Sequence, residues 1–442
     1  MLAAGTCALT ANQDGDAAHA AAPPLALDVT IAAATPTLAW VDTLHKILGE
    51  AAFDLPEPSS NSAGGFSFES SDPLVATISG RTVTLVGSGA ATLVATQAAA
   101  GGYGAGSVSL TLTVSARPDP TLDPEVVGGL QAQVDASVRF AHAQQDNIRD
   151  RLRLLRDGQG NPSTNRIGFS AMSAFGPGLS VGADQLPGSL PRLDQGWGVW
   201  MAGTITMGER DARQGASGFD FRSDGISLGV DRQLGRHLVM GVTGGLGWNH
   251  TDFERSTSRQ EARQRSVALY GLWQDEGPVF VDGQLGMGRL DFDLWRWSAA
   301  AEATAQARRE GEQWFGGLSL GYAHAHERAR VAAYGRYDMS RTRLDPYRET
   351  GLGLLDLAYE RQTVDSRTVA VGVEGSHPIG TTRAALRPFW SVEYRKALEH
   401  RGDAMLNYAL QPVQHDYLLG LRSYNDDALA LGTGLEVATD TG

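Results

Sequence analysis

Few residues in this chain have the types and spacing that chemistry requires. His324 and His326 are two positions apart, so on a strand both imidazoles would share one face, as in some metal sites. The pattern supplies no third ligand, and we interpret both as polar turn residues. Cys7 has no context that would activate a thiol, and no G-x-S-x-G motif precedes a helix. We therefore expect no catalytic residue, no metal site, no cofactor and no enzymatic activity.

The composition excludes several classes of protein. The chain has 442 residues and a formal net charge of -13, which argues against nucleic acid as a partner. Its single cysteine rules out an internal disulfide bond. No uninterrupted apolar run reaches the ~18 residues of a spanning helix, but this criterion does not detect transmembrane strands, whose apolar and polar residues alternate.

The N-terminal third divides into a leader and a β-rich module. Residues 1–26 are small and mildly apolar, and we interpret them as the remnant of an export signal or a disordered leader. Residues 27–116 contain strand-sized runs of Val, Ile, Leu and Thr between turn signals, as in a two-sheet sandwich. The stretch "SSDPLVATISGRTVTLVGSGAATLVATQ" resembles the bacterial Ig-like (BIG2-type) repeat of surface proteins. This resemblance implies an Ig-like fold.

A long helix follows a proline linker at residues 117–123. Asp123 is a suitable N-cap with proline at the next position, and apolar residues keep helical spacing as far as residue 157. About 33 residues span roughly 50 Å, yet the other faces carry glutamines and arginines, so this helix cannot lie in lipid. It is either a surface or coiled-coil helix, or a plug inside a polar lumen. Residues 158–194 read as a flexible linker.

From residue 195 to 442, large apolar residues alternate with small or polar ones, a pattern that a soluble sandwich does not require. In "HLVMGVTGGLGWNHTDF" (237–253) one parity carries large apolar residues and a tryptophan, and the other is mostly small. Similar stretches begin near residues 196, 314, 330 and 386, with aromatic residues near strand ends and charge or glycine on the second face. Such strands fit a barrel whose outer face meets lipid and whose inner face lines a wet lumen.

The connections provide a second test of this interpretation. Short turns are predicted at 232–236, 274–277, 324–329 and 377–383. Longer hydrophilic connections are predicted between them, in the ranges 208–218, 249–262, 295–312 and 344–362. Outer-membrane barrels alternate in this way, with tight periplasmic turns and longer extracellular loops.

Residues 196–437 resemble the translocator barrel of autotransporters, the proteins of type V secretion. The likeness is carried by "SDGISLGVDRQLGRHLVMGVTGGLGW" and "LRPFWSVEYRKAL". It implies an all-β chain: a transmembrane antiparallel barrel of the 12-strand type with a lumenal α-helix, preceded by the Ig-like sandwich. We count about eleven strands, the last running outward, which leaves the ring open by one strand. The expected terminal aromatic residue is missing from "VATDTG".

The inner face of this barrel supplies the candidate functional residues. Arginines of the helix are expected to meet inward-facing acids, because charges are tolerated away from water when they are paired. The candidates for helix–lumen pairing are Arg149, Arg151, Arg153, Asp282, Glu374, Glu393 and Arg336. We expect Asp282 and Glu393 to hold the helix in place.

The resemblance implies an outer-membrane protein that anchors a short Ig-like passenger and displays it on the surface of a Gram-negative cell, for adhesion or another surface interaction. The expected partners are outer-membrane lipid, the outer-membrane insertion machinery and a host or cell-surface ligand of the Ig-like module. Two alternatives stay open: a porin-like pore, and the remnant of an esterase-type surface enzyme.

Overall fold

The computed structural model describes residues 4–157, 164–173, 176–184, 196–213, 215–326, 329–377, 379–380, 384–410, 416–421 and 427–439. The chain divides into two compact units, Met1–Pro118 and Asp119–Gly442. Among the described residues, no helix is both long and apolar enough to cross a membrane.

The first unit contains eleven strands among its described residues. Their bounds are β1 (Gly5–Gln13), β2 (Ala22–Ile31), β3 (Leu38–Ala39), β4 (Thr43–Ile47), β5 (Phe53–Asp54), β6 (Ser59–Ser60), β7 (Phe66–Ser70), β8 (Ala76–Ser79), β9 (Thr82–Leu85), β10 (Gly89–Gln97) and β11 (Gly106–Ser115).

Strands β3 to β11 build a sandwich. One sheet has the order β4-β11-β10-β7 and a second has the order β5-β9-β8. Leu93 and Leu112 of the first sheet share a buried cluster with Val83 of the second, so the two sheets pack face to face. Their alternating burial follows from the period of two along a strand.

Strands β1 and β2 pair only with each other, as an antiparallel hairpin. This hairpin occupies part of the range expected as a signal remnant or disordered leader.

The second unit opens with a 3-10 turn at Pro120–Leu122, and α1 (Pro124–Arg156) follows. Asp123 caps α1, accepting a hydrogen bond from the backbone N–H of Glu125, with Pro124 at the first helical position, as the sequence indicated. The remaining strands are β12 (Thr164–Ser173), β13 (Gly176–Asp184), β14 (Trp197–Arg210), β15 (Phe219–Leu234), β16 (Leu238–Phe253), β17 (Arg259–Gln274), β18 (Val279–Ser298), β19 (Ala303–His326), β20 (Ala329–Leu344), β21 (Tyr347–Arg348), β22 (Leu357–Tyr359), β23 (Gln362–Ser376), β24 (Ile379–Gly380), β25 (Ala384–Arg401), β26 (Ala404–Tyr408), β27 (Tyr417–Leu419) and β28 (Asp427–Thr439), with a 3-10 turn at Gly353–Leu355.

Twelve of the described strands close into a barrel. Strands β14 to β20, β23, β25 and β28 follow one another as antiparallel neighbours, and the hairpin β12–β13 lies between β28 and β14, pairing in parallel with both. The expectation of an open ring of about eleven strands is therefore corrected. The range expected as a flexible linker contains two strands of the wall, and the other ten strands of the wall follow residue 195.

The last strand, β28, also runs opposite to our expectation, towards the end of the barrel that carries the short turns. Closure has a clear physical reason, because an open sheet edge in lipid would leave backbone N–H and C=O groups without partners.

The barrel wall alternates as expected. Along β16, Met240, Val242, Leu246 and Trp248 are exposed on the outer face, whereas Thr243, Gly245, Gly247 and Asn249 are buried inside. The small residues leave room for α1. A Cβ at Gly245 would lie 2.2 Å from Oε1 of Gln144, and one at Gly247 would lie 2.8 Å from the ring of Phe140, both on the helix.

The short and long connections lie at opposite ends of the barrel, as expected. The irregular loops at the long-connection end are shorter than we expected, because the strands there are longer. The turns after β15 and β17 are short. Opposite them, much of the predicted loops 249–262 and 295–312 is strand, because β16 pairs with β17 as far as Asp252 and Arg259, and β18 pairs with β19 as far as Ser298 and Ala303. At ~3.4 Å per residue, β18 and β19 extend well beyond the 9–11 residues that cross a bilayer.

Candidate functional site: the helix-filled lumen

Helix α1 lies inside the barrel and is buried on every face. Val134 and Phe140 are buried, but so are the polar Gln133, Gln144 and Asn147. A surface helix or one strand of a coiled coil would keep an exposed polar face, so this burial excludes the first of the two readings of the helix. The polar residues face the lumen wall, where they find partners.

The outer half of α1, near the long connections, is held largely by apolar packing. Val126, Leu130 and Val134 belong to one buried cluster with Leu357 and Leu406, which lie on the small sheet β21-β22-β26-β27. The segment 344–362 was expected to be a hydrophilic loop. Its apolar run "GLGLLDLAY" instead forms part of a cover over the helix, because the buried face of α1 requires apolar partners there.

Polar contacts anchor the first turn of α1 at the same end. The carboxylate of Glu125 accepts hydrogen bonds from Ser217 (2.6 Å), Ser256 (2.7 Å) and Ser258. Arg296 pairs with Glu349 at 2.6 and 2.8 Å and lies 3.5 Å from Asp123. The beginning of the helix is thus tied to three connections and to β18.

Two stacked tyrosines complete this cover. The rings of Tyr347 and Tyr359 are parallel, with centroids 4.3 Å apart. Burial raises the pKa of Tyr347 to about 12, so the phenol keeps its proton even in mildly alkaline solution. The hydroxyl of Tyr359 donates a hydrogen bond of 3.1 Å to Glu349. Arg309 lies over the Tyr347 ring and donates a hydrogen bond of 2.8 Å to Gln133 of the helix.

The inner half of α1 combines apolar packing of Ile148 and Leu152 against the wall with buried ion pairs. The guanidinium of Arg151 forms two hydrogen bonds with Asp231 of β15, Nε to Oδ2 at 2.7 Å and Nη2 to Oδ1 at 2.8 Å, with both side chains almost fully buried. Tyr270 donates a third hydrogen bond to Asp231 at 2.8 Å, and its own hydroxyl accepts one from Trp200. This is a buried, bidentate and further supported ion pair.

Other arginines of the helix reach different parts of the wall. Arg149 contacts both carboxylate oxygens of Asp338 at 3.1 and 3.2 Å. Arg156 pairs with Glu374 near the short-turn end. The guanidinium of Arg153 lies 4.2 Å from the centre of the Phe389 ring.

The structure therefore brings some of the predicted residues together and separates others. Among the described residues, Asp282 takes part in no salt bridge; it is buried opposite Ser319 of the neighbouring strand. Glu393 belongs to the wall, where it binds Arg336 at 2.6 and 2.7 Å and also contacts Arg395. Arg336 in turn reaches Asp338 at 2.6 Å, so it acts on the helix through the partner of Arg149.

The sequence-based candidates did not include Asp231, Arg156 and Asp338, which take part in the helix–wall ion pairs, nor the pair of Asp135 with Arg210 at 2.6 Å. Asp231 could have been found by parity, since it shares the inward face of β15 with Ser227 and Gly229. It lies next to the predicted turn 232–236, and residues at a strand end are difficult to assign to a face from sequence alone.

His324 and His326 lie on β19 at its short-turn end. The side chain of His326 falls outside the described residues. Among the residues that the structure does describe, no group of three or more His, Cys, Asp or Glu side chains is placed to hold a metal ion.

The family model of the autotransporter β-domain matches residues 199–442, more than half of the chain. The chain belongs to the autotransporter family. Autotransporter β-domains lie in the outer membrane of Gram-negative cells, with the passenger at the surface. The β-barrel with its inner helix, the autotransporter family and the outer-membrane location expected from the sequence are confirmed.

Solved structures similar to this autotransporter have low identity. The translocator domain of autotransporter NalP from Neisseria meningitidis is 18% identical, with a TM-score of 0.43, over 69% of this chain and 98% of that one. The β-domain of the Bordetella autotransporter BrkA is 15% identical, with a TM-score of 0.37, over 55% of this chain and 98% of that one. No curated protein matches the chain. The assignment therefore rests on the family model.

Proposed function

We propose that the barrel anchors the sandwich of residues 38–115 as an Ig-like passenger, and that this module serves adhesion rather than catalysis. The observation that carries the proposal is the direction of α1. Its first turn, at Glu125, is bound to the long connections, and its last turn, at Arg156, lies beside Glu374 near the short turns. The chain that precedes α1 therefore leaves the barrel at the end with the long connections.

The helix inside the lumen favours an anchor over the porin-like alternative. Residues from Val126 to Arg156 lie along the barrel interior, where apolar side chains of the helix pack on the wall and Arg151 pairs with Asp231. A porin needs an open aqueous channel through the same space.

Protease treatment of intact cells tests which end of the barrel is outside. The chain is produced behind a cleavable export signal, with one epitope inserted at residues 100–102 of the sandwich or at residues 275–277, a short turn. The sandwich epitope should be lost and the short-turn epitope retained until the outer membrane is opened. Retention of the sandwich epitope on intact cells would overturn the proposed display.

Adhesion is tested by binding of these cells to an epithelial monolayer. Leu93→Asp places a charge in the sandwich core, whereas Thr92→Asp places it on the exposed face of the same strand. Only the first should abolish binding, with the same amount of barrel in the membrane for both. Equal binding by both variants and by the unaltered protein would refute the adhesive role.

A further inference from the structure

The hairpin β1–β2 exposes one apolar face. Residues directly opposite each other in an antiparallel pair share a face, and the register places Cys7 opposite Val29 and Leu9 opposite Leu27. Leu9 is 52% exposed and Leu27 is 60% exposed. A two-stranded hairpin is only marginally stable by itself, so this face requires a partner.

The sequence of the hairpin recurs in the sandwich. Strand β10 repeats β1 at a spacing of 84 residues, with four identities: Gly5, Leu9, Ala11 and Gln13 recur as Gly89, Leu93, Ala95 and Gln97. Strand β11 repeats the apolar positions of β2 at a spacing of 83 residues, so that Leu25, Leu27, Val29 and Ile31 correspond to Val108, Leu110, Leu112 and Val114. The pairing registers agree with this correspondence, because Leu9 opposite Leu27 matches Leu93 opposite Leu110.

The counterparts of the exposed residues form half of the sandwich core. Leu93 and Leu112 are fully buried, and Leu110 is 2% exposed. They pack against the sheet β5-β9-β8 through a cluster that includes Leu55 and Val83. The apolar face of β1–β2 therefore has the side-chain pattern of a half-core.

A polar position strengthens the correspondence. Gln97 is 1% exposed, and its amide donates hydrogen bonds to the carbonyl oxygens of Ser62 (3.0 Å) and Gly64 (2.8 Å) and accepts one from Ser60 (2.7 Å). Burying an amide is unfavourable unless such bonds form. Its counterpart Gln13 is exposed. An apolar patch arising by chance would not require glutamine at this position.

We propose that β1–β2 is the closing hairpin of a second Ig-like module, and that its apolar face binds a complementary half-sandwich of the kind formed by residues 38–85. The passenger is then a tandem array with a repeat of about 84 residues. This inference rests on the proposed function in one respect, since both take the sandwich to be Ig-like. It does not depend on surface display or on adhesion.

The test adds a half-sandwich to the hairpin in the order found in residues 32–97. A copy of residues 32–88 replaces residues 1–4 of the full chain, so that it joins Gly5 as Ser88 joins Gly89. Cys7 is the only cysteine and corresponds to Ala91, which is 2% exposed. In detergent-solubilised protein, the extension should slow the reaction of Cys7 with a maleimide by roughly 100-fold, through protection of a buried site, and urea should restore the full rate.

A matched control carries the same extension with Val83→Asp in the copied segment, which removes its core, and Cys7 should then react freely. Two results would overturn the proposal. One is a Cys7 that stays reactive in the extended chain although the copy is intact. The other is protection of Cys7 in the unextended chain that increases with protein concentration, which would show that a second copy of the chain covers the apolar face of β1–β2. Neither result depends on the protease assay of surface display.

Discussion

Loss of the Arg151 guanidinium should loosen the helix in the barrel. Arg151→Ala leaves the carboxylate of Asp231, 3% exposed, without the two hydrogen bonds at 2.7 and 2.8 Å. Breaking a buried pair by removing one partner costs about 3–5 kcal/mol. Because ~1.4 kcal/mol corresponds to a factor of ten, the lower figure raises the population of the displaced helix by roughly 100-fold.

Limited trypsin digestion of the detergent-folded protein measures this population. The variant keeps the trypsin sites at Arg149, Arg153 and Arg156, and trypsin reaches them only when the helix leaves the lumen. The cleavage rate follows the open population when reclosing is fast. It should rise by about two orders of magnitude, and open-channel events in a planar bilayer should become correspondingly more frequent.

Three variants make the comparison specific. Arg341→Ala breaks the exposed pair with Asp365 on the outer wall, which is worth about 1 kcal/mol or less, and should leave cleavage unchanged. Asp282→Ala should also have little effect on seating, because Asp282 is not paired with the helix. Arg151→Met with Asp231→Leu removes both charges and should recover most of the protection. A single Arg151→Ala variant that digests within about twofold of the unaltered protein would refute this reasoning.

Three further predictions concern the packing of α1 on β16, the first turn of α1 and the core of the sandwich. Gly247→Leu should displace Phe140 and expose the helix to trypsin, whereas Gly244→Leu on the outer face of the same strand should not, since only the carbonyl oxygen of Ser266 lies within 4 Å there; equal digestion would contradict the close approach. Glu125→Gln should weaken the bonds to Ser217 and Ser256 and accelerate amide hydrogen exchange in residues 211–218 and 254–258, with no change at the short turns; uniform exchange would count against the anchor. Leu112→Ala should destabilise the sandwich by about 2–5 kcal/mol in thermal unfolding while the barrel keeps its melting behaviour, and a joint shift of both transitions would argue against two independent units.

The wall of the barrel could be predicted from sequence because its signal is local. A period of two, with Met240, Val242 and Leu246 on one face and small residues on the other, is fixed by strand geometry whatever surrounds it. The cap, proline and polar faces of α1 similarly predicted a helix that needs polar partners. Parity also identified the lumen as the place where Arg149 and Arg151 find acids.

The partners themselves could not be predicted in the same way. The axial position of the helix and the shear of the sheet decide which acid meets which arginine. Neither can be deduced from the sequence of a single strand. Asp231 and Asp282 both face inwards, yet only the first reaches α1. The cover formed by residues 357–359 and 404–408 depends on contacts between distant segments, so its apolar run was interpreted as part of a loop.

The two halves of α1 play different physical parts in holding the helix at one depth. Apolar packing around Leu130 and Val134 is non-directional and would tolerate a small axial shift. The pairs of Arg149, Arg151 and Arg156 reach three different strands and would all break if the helix moved by one turn of about 5.4 Å. Apolar packing thus contributes affinity in both halves, and the charged pairs of the inner half set the register. Loss of Arg151 should therefore weaken the register of the helix as well as its retention in the lumen.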